Sequence, residues 1–264
     1  MPLRVGFDLD GTVADMYSAL QREALTLFGE EALRRAAHKT SKPQEIKAAS
    51  VKASTSAQAT AGTAAQTLED KSAKPDEDSP TNPDLHELHL TARQQMQLWD
   101  HVKTIENFWS TLPELEPGII ARIAKAAFER RWEVIFLTTR PSTAGELVQM
   151  QSQRWLEAHG FQYPSVYVVQ RSRGKIADAL ALDAFVDDRP ENCLDIAVES
   201  KAKVILVWQG ALTDVPAGAK RLGVQPVSTI SEAMGLLERL DDIRSKPGFM
   251  RSLKRALGGD TSDD

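Results

Sequence analysis

The chain has 264 residues, 42% hydrophobic and 26% charged, which is the mix of a globular protein large enough for one domain with a small accessory. Its 32 Lys and Arg against 37 Asp and Glu leave a formal net charge of −5, which excludes a general attraction to nucleic acid polymers or acidic membrane surfaces. The single cysteine, Cys193, excludes an internal disulfide, and no run approaches the roughly 18 apolar residues of a membrane span. With no signal-peptide layout at the N-terminus, a cytoplasmic location is expected.

The first element is a short buried strand over residues 3–8, and Val5–Phe7 ends abruptly in Asp8. Leu9, Asp10, Gly11 and Thr12 follow, so two carboxylates stand two residues apart at the strand end. Alternation along an extended chain puts Asp8 and Asp10 on one side and Leu9 on the other. From Asp15 a helical pattern begins, with Met16, Leu20, Ala24 and Leu27 at helical spacing. The composition then shifts: over residues 48–67, 15 of 20 residues are Ala, Ser or Thr, too little apolar surface to offset the entropy of ordering them. Residues 71–83 add charge and three prolines. Residues 38–85 are therefore expected to be a flexible insert.

Helical patterning returns at "TARQ", a capping box at Thr91, with Leu98, Val102 and Ile105 on one face. After the turn "LEPG", a second amphipathic helix carries Ile119, Ile120, Ile123, Ala127 and Phe128. Residues 133–139, "EVIFLTT", read as a buried parallel strand. Ser142 is placed to cap a helix that Gly160 ends. Further strands are expected at 165–169, 184–188 and 203–208, with helices at 173–182 and 191–200. Strands alternating with helices indicate an α/β fold, a doubly wound parallel sheet of about five strands covered on both faces.

Ligands bind beyond the carboxyl ends of the strands in such sheets. Those ends bring Asp8 and Asp10 together with Thr138, and with Asp187 and Asp188 of "VDDRPEN". Lys175 lies in the first turn of the helix that Ser172 caps, where positive charge opposes the helix dipole, a broken local rule that points to function. Arg171 and Arg173 beside it are read as a solvated basic turn. Crowded carboxylates repel one another unless a hard cation sits among them. Mg²⁺ takes oxygen ligands, usually one or two carboxylates with waters and a substrate phosphate. This set of groups suits phosphoryl transfer, in which a carboxylate can be the nucleophile. Arg140 is placed to guide phosphate, to pair with one of these carboxylates, or simply to face solvent. Phe108 and Trp109 suit packing or base stacking. Cys193 reads as a small buried residue.

Taken together, "FDLDGT", "FLTTRP", Lys175 and "FVDDRPEN" resemble the haloacid dehalogenase (HAD) superfamily of aspartate-nucleophile phosphohydrolases, and within it most nearly the 5'(3')-deoxyribonucleotidase branch. The resemblance implies a HAD-like core at 1–15 and 110–240. A small helical cap is then expected at 16–37 and 86–109, the insert at 38–85 and a flexible tail at 241–264. It implies Asp8 as nucleophile and Asp10 as acid and base, with the Asp10 carbonyl also on Mg²⁺. Thr138 and Lys175 would hold the transferring phosphoryl group, with Thr139 and Arg140 on the substrate. Asp8, Asp10 and Asp188 would be metal ligands, with Asp187 a ligand or its support. The function implied is a Mg²⁺-dependent phosphomonoesterase acting on a small phosphorylated substrate, a (deoxy)nucleoside monophosphate among the candidates. A phosphotransferase, a phosphatase for another metabolite, and a HAD-fold scaffold with a partner-binding insert are the alternatives.

Overall fold

The computed structural model describes residues 2–40, 88 and 90–245. Its centre is a six-stranded, wholly parallel sheet: β1 (Arg4–Asp8), β2 (Glu133–Thr138), β3 (Ser165–Val168), β4 (Ala184–Asp187), β5 (Lys203–Val207) and β6 (Gln225–Val227). The spatial order is β3-β2-β1-β4-β5-β6. The chain builds outward from β1 to β3, returns to the other side of β1 for β4, and builds outward again. That reversal beside β1 is the switch point at which doubly wound sheets open a crevice. Phe7 pairs with Val186 in the β1–β4 register, so Asp8 and Asp187 end neighbouring strands.

The strands are apolar on both faces because helices cover both. Phe7, Phe136 and Val186 pack toward α1 (Met16–Thr40), α2 (Ala92–Val102), α3 (Ile119–Arg130), α4 (Val148–Ala158) and α8 (Ile230–Ser245). Leu137, Phe185 and Leu206 pack toward α5 (Arg173–Ala179), α6 (Pro190–Glu199) and α7 (Ala217–Arg221). The capping box at Thr91 forms as expected: the Gln94 N–H donates to the Thr91 hydroxyl, and the Thr91 N–H donates to the Gln94 side chain.

Several expectations change. The sheet has six strands instead of about five; β6 is a three-residue edge strand containing Pro226, too short to stand out by periodicity. The helix after β2 starts at Val148 and not at Ser142, because the intervening loop is tied to the segment before the short turn Phe108–Ser110. There the Asn107 N–H donates to the Ala144 carbonyl, the Ala144 N–H to the Lys103 carbonyl, and the Glu146 N–H to the Asn107 side chain. Phe128, expected on the buried face of α3, is 88% exposed. Ile105 packs against the core from beyond the end of α2. At the C-terminal side α8 runs past 240 to Ser245, where Arg130 pairs with Asp241 and Asp242. The expected insert begins inside α1, which reaches Thr40; residues 41–85 and 246–264 lie outside the described residues.

Candidate active site

Asp8 leaves β1 at its carboxyl end, and Leu9 turns into the core with no exposure. The chain then doubles back tightly, with the Val13 and Ala14 N–H groups donating to the Leu9 carbonyl. Gly11 has φ +83°, and a Cβ there would run into the Asp188 carboxylate. The turn therefore needs glycine for its dihedral angle and for the approach of Asp188. Thr12, fully buried, donates its hydroxyl to Asp188 Oδ1 at 3.1 Å and ties the β1 turn to the end of β4.

On the β4 side of β1, Asp8, Asp187 and Asp188 place ligand oxygens within 4.8 Å of one another. The fourth member is Arg173, whose Nη1 lies 2.6 Å from Asp8 Oδ1 and 2.5 Å from Asp187 Oδ2. Asp187 also accepts from the Arg189 N–H at 2.9 Å and from Asn192 Nδ2 at 3.1 Å. With all three carboxyl groups ionised, the one guanidinium leaves two negative charges uncompensated. Burial, reinforced by Asp187 and Asp10 against the opposing pull of Arg173, pushes the Asp8 carboxyl up to about 7. Burial and the charges of Asp8 and Asp187 hold Asp188 well above the usual carboxylate range. Burial works against the charge on Arg173, but Asp8 and Asp187 outweigh it and its pKa rises. Burial raises the Cys193 thiol, whose Sγ sits 3.9 Å from the Asp187 carbonyl oxygen, so it stays neutral as the small buried residue expected.

On the β2 side, Asp10 faces a different environment. Arg140 Nε lies 2.9 Å from both Asp10 carboxylate oxygens and Nη2 lies 2.8 Å from Oδ1. Thr138 Oγ1 donates to Asp10 Oδ2 at 3.1 Å and accepts from the Arg140 N–H. Trp109 and Trp155 flank Arg140, whose Cζ is 5.0 and 6.0 Å from their ring centres. Trp109 thus packs in the core and donates its indole N–H to the Pro141 carbonyl.

The structure brings Asp8, Asp187 and Asp188 into one cluster and Asp10, Thr138 and Arg140 into a second. Thr139 is half-buried just beyond β2. Of the roles expected for Arg140, the structure shows the pairing with a carboxylate: its side chain is fully buried and engaged with Asp10. Lys175 is displaced from its expected place. It is exposed, its backbone N–H donates to the Ser172 hydroxyl, and the basic group in the site is Arg173. The cap sets this phase. Ser172 caps α5 as expected, and Asp195 of α6 fixes the same turn by accepting from the Ser172 hydroxyl at 3.0 Å and the Gly174 N–H at 2.8 Å. Gly174 lies so close to α6 that a Cβ would strike the Asp195 carbonyl oxygen. Arg173, Gly174 and Ala177 then face inward, and position 175 faces out. The signal was present in the sequence: Arg173 is four residues before Ala177, on the apolar face of α5, whereas Lys175 is only two before it.

No protein-family model and no curated protein matches the sequence. Solved structures do resemble it at low identity. A putative β-phosphoglucomutase from Thermotoga maritima aligns over 90% of this chain and 99% of its own, at 16% identity and TM-score 0.46. A haloacid dehalogenase-like family hydrolase from Xanthomonas campestris aligns over 91% and 96%, at 14% identity and TM-score 0.44. A HAD family hydrolase from Deinococcus radiodurans, solved with bound phosphate and sodium, aligns over 90% and 96%, at 11% identity and TM-score 0.45. Function does not travel with fold at this distance, so the chemistry rests on the residues of this chain.

Proposed function

We propose that the chain is a Mg²⁺-dependent phosphomonoester hydrolase that works through a phosphoryl group carried on Asp8. The observation that carries this reading is the charge imbalance beside β1: buried Asp8 and Asp187 and half-buried Asp188, with ligand oxygens within 4.8 Å and one guanidinium among them. A hard divalent cation would cancel the two remaining charges, and an all-oxygen donor set is the kind Mg²⁺ takes. Asp8 and Asp188 would hold the ion, with the Asp10 carbonyl, while Asp187 supports them. Bound there, the ion supplies screening among the carboxylates and draws charge from phosphoryl oxygens.

The residues then divide the work. A carboxylate oxygen of Asp8 attacks phosphorus as the bond from phosphorus to the ester oxygen breaks. Asp10 gives a proton to the departing alkoxide, and afterwards takes one from the water that attacks the acyl phosphate, releasing inorganic phosphate and restoring Asp8. Arg173 neutralises phosphoryl oxygens, the task that sequence reasoning gave to Lys175, while Thr138, whose one hydroxyl proton goes to Asp10, supports the acid and base instead of the phosphoryl group. The substrate is a small phosphorylated metabolite, with (deoxy)nucleoside monophosphates the candidates that the 5'(3')-deoxyribonucleotidase-like motifs bring forward. Purified protein incubated with a panel of sugar, polyol and nucleoside monophosphates is expected to release phosphate only with Mg²⁺, and Asp8→Asn is expected to abolish release. A folded protein that binds Mg²⁺ yet turns over no ester of the panel overturns the reading.

A further inference from the structure

Arg140 is among the largest fully buried side chains of the protein, and it carries a charge. A buried ion pair is no more stabilising than apolar side chains of the same volume, so stability alone does not account for it. What the pair supplies is orientation. The planar guanidinium engages both oxygens of Asp10, and Thr138 adds a further hydrogen bond to Oδ2. Rotating the carboxylate would break all of these contacts at once. The guanidinium is fixed in turn, since Nη1 donates to the buried Ser152 hydroxyl at 2.9 Å. Both flanking indoles are anchored: Trp109 Nε1 donates to the Pro141 carbonyl at 2.9 Å, and Trp155 Nε1 to the Leu112 carbonyl at 2.7 Å. Rigid support of this kind around a reacting group is how a site holds productive geometry.

We propose that Arg140 is a positioning residue, which with Ser152 and the two tryptophans behind it holds the Asp10 carboxyl group in the one orientation that delivers a proton to the leaving oxygen. The inference rests on the phosphohydrolase reading and adds to it a residue that never touches substrate. It also explains why Arg140 cannot take the substrate-binding role that its place after Thr139 suggests.

Leaving-group dependence tests it. With full-length protein and Mg²⁺, p-nitrophenyl phosphate releases an anion that needs little help from an acid, whereas glycerol phosphate releases an alkoxide that needs a proton. Arg140→Lys keeps the charge but loses the fork. It is expected to lower kcat on glycerol phosphate on the order of tenfold more than on p-nitrophenyl phosphate, with KM for both little changed. Adding Arg140→Lys to Asp10→Asn is expected to cost no more than Asp10→Asn alone. Ser152→Ala is expected to show the same bias at smaller amplitude, and it decides the matter if the Arg140 variants do not fold. Equal losses on the two esters, or a rise in KM at constant kcat, overturn the proposal while leaving the phosphohydrolase reading intact. A wild-type protein inactive on every ester overturns both.

Discussion

Two buried arginines flank β1, and they sit in opposite electrostatic situations. Arg140, on the β2 side, meets one carboxylate and is closed in by two indoles. Arg173, on the β4 side, meets Asp8 and Asp187 with Asp188 beside them, and full ionisation of the three leaves two negative charges. In the first, Arg140 is fully engaged by Asp10 and Ser152, so it orients Asp10 and has no donor aimed elsewhere. The second is unfinished: burial raises Asp8 and Asp188 above the ordinary carboxylate range, and the neighbouring carboxylates add to it. A surplus of one sign in a buried site, more than the mere presence of charged groups, marks where a ligand of the other sign belongs.

That contrast can be broken most forcefully by removing the guanidinium from the unfinished side. Arg173→Met leaves three carboxylates facing one another and is expected to cost about 3–5 kcal/mol in urea unfolding, with phosphate release lost. The pH dependence is expected to be the next largest effect. Unfolded Asp8 ionises near 3.8 and folded Asp8 near 7, so between these values the folded state holds the extra proton. By linkage this contribution to stability is present in full below pH 3.8 and is lost as pH rises toward about 7. Thermal unfolding in EDTA should therefore show a melting temperature falling from pH 5 to pH 8. Mg²⁺ should restore more at pH 8 than at pH 5, and an equal Mg²⁺ effect at the two pH values would refute this account.

A smaller effect is expected from Gly174→Ala, which forces a methyl against the Asp195 carbonyl and pushes α5 off α6. A loss of about 1–3 kcal/mol is expected, together with reduced turnover because Arg173 moves with the helix. The smallest effect distinguishes the two basic residues of α5. Lys175→Met should change stability by less than about 0.5 kcal/mol and leave phosphate release almost unaltered. If Lys175→Met proves more damaging than Arg173→Met, the assignment of Arg173 to the site fails.

Much of this molecule is visible before folding. Continuous apolar runs such as "VIFLT" mark strands buried on both faces, and the first five strands fall within a residue or two of their expected ends. Asp8, Asp187 and Asp188 were legible because each stands at the carboxyl end of such a run. β6 was not, since three residues with a proline carry no period. The start of α4 was not, because backbone hydrogen bonds from residues 103 to 107 compete for the loop that Ser142 begins. Phe128 breaks the rule that places large apolar residues inside, a rule that holds only in one direction.

The sequence by itself determined the order of the first five strands and the helices between them, the acidic residues at the strand ends and the cap at Ser172, because each depends on neighbours a few positions away. Only the tertiary structure decided which basic group enters the site and what Arg140 does. Those outcomes depend on Asp195 meeting the first turn of α5 and on two indoles closing around a guanidinium, contacts between segments far apart in the chain. Side-chain direction on a helix turns by roughly 100° per residue. The two-residue step from Arg173 to Lys175 therefore separates a buried charge beside Asp8 from an exposed one in water.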